Sequence, residues 1–217
     1  GDENPQFRFG SAVLSRWPIE DQGLWALPTA EDPHDPIPAM MPWEMVHART
    51  AGLDIFTVHL APAPTHGRHR KLQVLEIDRL IRETRGDLDS YDWGSQRVPV
   101  PPILTGDFNA EPGEVPVEAI TGRVENTDNP LLVGRQLFPC SHSIPGKSRY
   151  THLHRGQGNL LDHMVISRAL VSHYRHSEIH NEMLHDESIR GAFDDLFPES
   201  DHAPFVVEFR DRPAGVT

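Results

Sequence analysis

A chain of 217 residues with 37% hydrophobic content is long enough for one substantial core, and no linker divides it, so we expect a single domain over 1–217. The formal net charge of −12 opposes long-range attraction to a polyanion, so binding of nucleic acid would depend on local basic groups or bound cations. No apolar run approaches the roughly 20 residues that cross a bilayer. A single cysteine, Cys140, excludes an internal disulfide framework and leaves the compartment open.

The amino-terminal third predicts strands on both sides of a proline-rich segment. An apolar run over 10–19, closed by Pro18, predicts a strand, and a second strand is expected over 24–27. Several prolines and acids between 28 and 44 prevent regular pairing and predict a surface loop. The runs 45–50 and 53–60 flank Ala51-Gly52 and predict an antiparallel hairpin, with His59 near the end of its second strand.

Helical spacing follows this hairpin. Val74, Ile77 and Ile81 recur between charged residues over 68–85 and predict an amphipathic helix that covers a sheet. A shorter helix is expected over 115–120, whereas 122–147 has no clear period.

Between the two helices, a short apolar run ends in a cluster of polar groups. Ile103 and Leu104 predict a buried strand, and Gly106 allows a tight turn after it. Asp107 and Asn109 face the same side if strand geometry persists, so together they could orient a water, bind a phosphoryl oxygen or assist a metal. The alternative is an Asx-turn, in which both side chains bond only to their own backbone.

The last third contains a second carboxylate and several histidines. Asp162 lies among aliphatic residues in a predicted strand over 159–167, where a buried acid needs a cation or a histidine as partner. His176 and His180 would align as a metal pair on a helix, although we favour solvated or strand-face histidines. The last predicted strand, 204–209, follows the polar pair Asp201-His202.

Four polar signals at strand ends therefore occur in a fixed order: Val58-His59-Leu60, Gly106-Asp107-Phe108-Asn109, Leu161-Asp162-His163 and Ser200-Asp201-His202. In this order they resemble the endonuclease/exonuclease/phosphatase superfamily, over most of the chain from 9 to 209. The arrangement over 150–167 is most similar to the branch described as predicted extracellular nucleases. The resemblance implies an α+β fold, a four-layer α/β/β/α sandwich of the deoxyribonuclease type.

The resemblance also implies roles for five side chains. His202 would be the catalytic histidine, and Asp162 would hold its imidazole. Asp107 would orient or deprotonate the attacking water, Asn109 would hold the scissile phosphate, and His59 would donate near the leaving oxygen. The structural alternatives are a histidine that caps a strand for His59 and an ion pair without catalytic function for His202 and Asp162.

The resemblance further implies a metal site. Asp201 would be a metal ligand and Mg²⁺ the cation, with Mn²⁺ or Ca²⁺ as alternatives. Arg70 and Gln73 resemble superfamily positions too, but a solvated helix face explains them equally well. The superfamily places a metal-binding glutamate and an asparagine upstream of the stretch that matches 10–19, and Glu3 has no strand around it. We therefore expect the chain to lack the superfamily's first strands.

These features predict a metal-dependent phosphoesterase that hydrolyses phosphodiester bonds by direct attack of water, and the leading interpretation is a monomeric nuclease. Its substrate would be nucleic acid or another phosphodiester. One alternative is a lipid or small-molecule phosphodiesterase or phosphatase, which the acidic balance favours. The other is a non-catalytic binding module that has lost the metal site.

Overall fold

A computed structural model describes residues 10–30, 43–62, 64–85, 102–122, 136–189 and 200–210. Its helices are α1 (Gly67–Arg85), α2 (Val115–Thr121) and α3 (Arg168–Val171). Its strands are β1 (Ile19–Ala26), β2 (Glu44–Thr50), β3 (Leu53–His59), β4 (Pro102–Asp107), β5 (Leu137–Pro139), β6 (His152–His154), β7 (Gln157–Asn159), β8 (Asp162–Ser167), β9 (Tyr174–Ile179) and β10 (Phe205–Phe209). No helix among these residues combines the length and the apolar content that a bilayer crossing requires.

One mixed sheet forms the centre of the fold. Its strand order is β1-β2-β3-β4-β8-β5, with β9-β10 and β6-β7 as separate two-stranded sheets. The predicted hairpin is confirmed, because Ala51 and Gly52 take positive φ angles of 51° and 71° between β2 and β3. Strands β3 and β4 run parallel, so the chain crosses over between them, and α1 lies in that crossover.

The sheet is packed on both faces. On one face, Phe56 and Leu104 contact the apolar side of α1, where the predicted Val74, Ile77 and Ile81 are buried. On the other face, a second cluster joins Ile103 and Ile166 of the sheet to three side chains of β10, which pairs antiparallel with β9: Phe205, Val207 and Phe209. A mixed sheet with α1 on one face and a two-stranded sheet on the other is an α+β arrangement, the class that the sequence predicts.

Several sequence predictions need correction. The prediction of a strand over 10–19 is wrong, because 10–18 forms no strand and β1 begins only at Ile19. Leu14 is 96% exposed, so this apolar run is not part of the core. Its backbone is paired with no strand in the described part of the chain, and Pro18 lacks a ladder N–H. Short β5 was missed, because three residues carry too little periodicity.

The strand over 159–167 is divided in two. Asn159 ends β7 and Asp162 begins β8, so this carboxylate lies at a strand end instead of among buried aliphatics. The favoured prediction of solvated or strand-face histidines is confirmed for His176 and His180, because strand β9 runs to Ile179 and both exposed imidazoles lie beside Glu178. Of the predicted loop over 28–44, residues 31–42 lie outside the described residues.

A buried carboxylate near the start of β3 links this strand to β2. Asp54 Oδ1 accepts hydrogen bonds from His47 Nε2 at 2.7 Å and Arg49 Nε at 2.9 Å, and its Oδ2 accepts one from Arg49 Nη2 at 3.1 Å. Burial opposes ionisation of Asp54, but the hydrogen bonds from His47 and Arg49 outweigh it and lower its pKa below the ordinary 3.8. The ionised carboxylate therefore stabilises the folded state.

Asp54→Asn should lower the free energy of unfolding at pH 7 by about 3 kcal/mol, because His47 and Arg49 lose a charged acceptor in a buried site. Since the folded-state pKa is depressed, this contribution is complete above the unfolded pKa and disappears as pH falls through the folded value. Urea unfolding of both proteins at several pH values should show the difference shrinking below about pH 4. The exposed control Glu182→Gln should show no such trend, and a constant difference for Asp54→Asn would contradict the assignment.

Candidate active site

Strand register places three of the predicted site residues in one row. The parallel pairing of β3 with β4 sets His59 opposite Asp107, and the antiparallel pairing of β4 with β8 sets Asp107 opposite Asp162. All three residues stand at the ends of their strands, where the polar signals in the sequence predicted them. The edge of the sheet therefore carries one imidazole and two carboxylates side by side.

His202 reaches this row from the segment that precedes β10. Its backbone forms an isolated bridge with His152, and its Nδ1 lies 2.6 Å from Asp162 Oδ2. The hydrogen bond to Asp162 raises the pKa of His202 to about 9, against the opposing effect of partial burial. The ring is therefore an imidazolium at neutral pH, and it leaves Nε2 as the ring nitrogen able to face a substrate.

Asp107 and Asn109 form the Asx-turn that the sequence left open, and they also belong to the row. Asp107 Oδ1 accepts the backbone N–H of Asn109 at 2.7 Å, and Asn109 takes a left-handed φ of 47°. The Asn109 side chain donates to Leu60 O at 2.8 Å, while His59 Nε2 lies 3.6 Å from Asp107 Oδ2. Burial, followed by the charge of Asp162, raises the pKa of Asp107.

The donor atoms of the row fit a divalent cation. One ligand atom each from Asp107, Asp162 and His202 can be chosen so that all lie within 4.8 Å of one another. Only a neutral imidazole can ligate a metal, so the two carboxylates are the ligands consistent with a protonated His202. Two carboxylates give the oxygen-rich environment that Mg²⁺ prefers, and a cation there would relieve their mutual repulsion. Asp201, predicted as a ligand, adjoins His202 in sequence but is not part of this group. Its role as a ligand stays a prediction.

Sequence reasoning missed Thr151, which joins the two sides of the site. Its fully buried Oγ1 accepts the backbone N–H groups of Leu161 at 3.2 Å and Asp162 at 3.1 Å, while its carbonyl accepts that of Ala203 at 2.7 Å. One residue thus fixes the backbone on either side of the Asp162–His202 contact. Nothing in the composition around Thr151 distinguishes it from a solvated strand threonine.

The prediction that a solvated helix face explains Arg70 and Gln73 equally well is wrong. Both are buried, with 4% and 0% exposure, and they hold the backbone just beyond β3. Arg70 Nη1 donates to Ala61 O at 2.9 Å, and Gln73 Oε1 accepts from Ala61 N at 3.1 Å. The neighbouring Leu60 carbonyl holds Asn109, so α1 helps to fix that side chain. The clue was their position on the helix, one turn from Val74 and Ile77.

No protein-family model matches the sequence, and no curated protein is significantly similar to it. Among solved structures, the 3′-5′ exonuclease NExo from Neisseria meningitidis matches with a TM-score of 0.55 and 18% identity over 90% of this chain. An endonuclease/exonuclease/phosphatase family protein from Bacteroides thetaiotaomicron matches with a TM-score of 0.54 and 20% identity, also over 90%. This chain has the endonuclease/exonuclease/phosphatase fold.

The same fold occurs in proteins that act on different phosphate esters. A mannosyl-6-phosphatase from Bacteroides thetaiotaomicron matches over 89% of this chain with 19% identity and a TM-score of 0.54. NExo has also been solved as a 3′ phosphatase bound to product DNA hairpin, and this structure matches with 18% identity, a TM-score of 0.53 and 90% coverage. The chain spans 73% of the exonuclease structure, 72% of the DNA-bound structure, 67% of the mannosyl-6-phosphatase and 64% of the family protein.

Gly106 sets the spacing of the row. Its φ is +129°, and a Cβ added there would lie 2.0 Å from the backbone oxygen of Val58 on the neighbouring strand. Backbone cannot move aside as a flexible side chain can, so any other residue would force β3 and β4 apart. His59 and Asp107, each one residue further along these strands, would separate with them.

Gly106→Ala should destabilise the protein by at least about 3 kcal/mol, because overpacking against backbone adds to the strain of a positive φ. Gly113→Ala is the matched control, since Gly113 has a φ of +94° with nothing within 4 Å of the added Cβ. The control should lose only about 1 kcal/mol, from backbone strain alone. Equal losses in urea unfolding would show that close approach of the strands is not the constraint.

Proposed function

We propose that this chain hydrolyses phosphate esters by direct attack of water on phosphorus, with a divalent cation and without a covalent intermediate. The observation that carries the proposal is the 2.6 Å contact of His202 Nδ1 with Asp162 Oδ2, next to the partly buried Asp107. An imidazolium and a carboxylate of raised pKa at one sheet edge suit proton transfer combined with stabilisation of an anion. The shared fold with phosphoesterases supports the same conclusion.

In this mechanism His202 acts on the phosphoryl group. Asp162 keeps the ring protonated and fixes its orientation, and Nε2–H then donates to a non-bridging phosphoryl oxygen. This hydrogen bond strengthens as negative charge grows on that oxygen in the transition state. The His202 imidazolium therefore supplies a charged hydrogen-bond donor that Asp162 has already oriented before the reaction.

Asp107 acts on the water. Without a bound cation, burial raises the pKa of this carboxylate and brings it closer to the operating pH, as suits a general base. A cation held beside it would lower that pKa again. The water oxygen forms the new bond to phosphorus, its proton passes to Asp107, and the bond to the leaving oxygen breaks. In this proposal Asn109 binds the phosphate beside Asp107 once its side-chain amide turns away from Leu60 O and Asp107 Oδ2, which accept its two N–H groups in this structure. His59 donates near the leaving oxygen.

Asp107 and Asp162 are the side chains that would hold the divalent cation, with His202 beside them. Bound there, the cation would supply Lewis-acid stabilisation of the phosphoryl oxygens. The expected ligand Asp201 remains part of this proposal.

Within this class we propose a nuclease, and the DNA-bound neighbour NExo supports this choice. A small-molecule phosphatase is the second candidate, because the net charge of −12 disfavours a polyanion and the mannosyl-6-phosphatase shares the fold.

Asp107→Asn and His202→Ala should each lower the rate of phosphate-ester hydrolysis at least about 100-fold, because each removes a proton-transfer or charge-stabilising group. Asp107→Asn should not lower the melting temperature, since burial already disfavours the charge that it removes. His176→Ala, which changes an exposed histidine on β9, is the control and should keep full activity. Near-normal rates in either site variant would remove that residue from the mechanism.

The substrate class can be tested by assaying DNA oligonucleotides and a small phosphate monoester side by side with Mg²⁺. A nuclease should cleave DNA faster, and its affinity for DNA should fall steeply between 50 and 200 mM salt as bound counterions are released, by roughly the 10³-fold or more seen for extended phosphate contacts. Faster turnover of the monoester, without this salt dependence, would favour the second candidate. Activity that survives complete removal of metal would contradict the cation in the proposal.

A further inference from the structure

The ring of His202 packs against a second histidine, His152, which in turn contacts the carboxylate of Glu187. The ring of His152 lies 5.1 Å from that of His202, centroid to centroid, and their planes are tilted by 43°. His152 is only 8% exposed, and its Nε2 lies 3.0 Å from Glu187 Oε2. The same carboxylate oxygen lies 3.2 Å from Nδ1 of His154, two residues along β6. None of these three residues belongs to the proposed catalytic row.

The segment that carries Glu187 is fastened to the β6–β7 hairpin. Neighbouring Asp186 accepts the backbone N–H groups of Arg155 at 2.9 Å and Gly156 at 2.6 Å, at the turn of the hairpin. The hydroxyl of Ser188, followed by these backbone N–H groups, keeps the pKa of Asp186 well below its ordinary value. The backbone of Glu187 is therefore held next to the hairpin, and from there its half-exposed carboxylate contacts His152 and His154.

An imidazole at position 152 costs more free energy than an apolar side chain would if its only role were packing. With Nε2–H donated to Glu187, Nδ1 is left as a bare acceptor, and it is buried without a hydrogen-bond partner among the described residues. A phenylalanine would fill the same space without an unpaired polar atom. What the imidazole adds is the hydrogen bond to Glu187, which fixes the angle at which its ring packs against His202.

We propose that His152 and Glu187 are positioning residues for His202. Glu187 fixes the ring of His152, and this ring keeps the imidazole of His202 in the orientation in which Nδ1 faces Asp162. The effect on rate rests on the proposed function. The effect on the Asp162–His202 hydrogen bond does not.

Proton NMR of the intact protein measures that hydrogen bond directly, because an imidazole N–H bonded to a carboxylate gives a downfield signal when exchange with water is slow. His202→Ala assigns the signal by deleting it. In Glu187→Ala and in His152→Phe the signal should broaden or disappear, since the ring of His202 gains freedom. Glu187→Gln keeps an acceptor for His152 Nε2–H and should restore it.

For hydrolysis, kcat should fall about tenfold in Glu187→Ala with KM nearly unchanged, and Glu187→Gln should recover most of it. The matched control Glu182→Ala removes an exposed glutamate from the same segment and should leave signal and kcat unchanged. A signal of wild-type width in both Glu187→Ala and His152→Phe would overturn the proposal, whatever happens to kcat. If the wild-type protein hydrolyses no phosphate ester, the proposed function fails, and the NMR result still decides this inference.

Discussion

The close approach of β3 and β4 at Gly106 is the constraint on which the site depends. Parallel strands pair in evenly spaced, slanted hydrogen bonds, so one register fixes every later pair of residues. With Gly106 opposite Val58, His59 must stand opposite Asp107, and the antiparallel partner β8 then brings Asp162 to the same level. His59 and Asp162, 103 positions apart in the sequence, thus lie at the same end of the sheet on either side of Asp107, and strand pairing alone brings them there.

The supports of this row come from three directions. From α1, Arg70 and Gln73 hold the backbone that accepts the side chain of Asn109. From β8, the buried imidazole of His163 hydrogen-bonds to Ala110 O at 2.8 Å, and burial lowers its pKa, so it stays neutral and fixes the turn after Asn109. From the loop before β6, Thr151 fixes the start of β8. Polar groups with many partners specify geometry more sharply than apolar packing does.

Sequence reasoning located the elements that have a strong period or a tight turn. The β2–β3 hairpin follows from Ala51-Gly52, and α1 follows from its apolar stripe. The row of His59, Asp107, Asp162 and His202 could be anticipated only through the order of its motifs, because spacing within one chain says nothing about contacts between strands. The structural roles of Thr151 and Gln73 could not be predicted. Burial decides whether such a polar side chain is structural, and burial is a property of the packed molecule. The strand predicted from the apolar run before β1 failed for the same reason, because the sequence does not show that this run is exposed.

The electrostatics of the row explain why a cation is part of the proposal. Asp107 and Asp162 bring two carboxylates together, and the imidazolium of His202 offsets only one of them if both are ionised. A phosphate ester approaching this edge would add further negative charge, in a protein whose net charge is already −12. Protons or a metal ion that neutralised part of the site would favour the binding of such an anion. Protonating Asp107 would remove the proposed general base, so a divalent cation is the neutralising charge that leaves the chemistry intact.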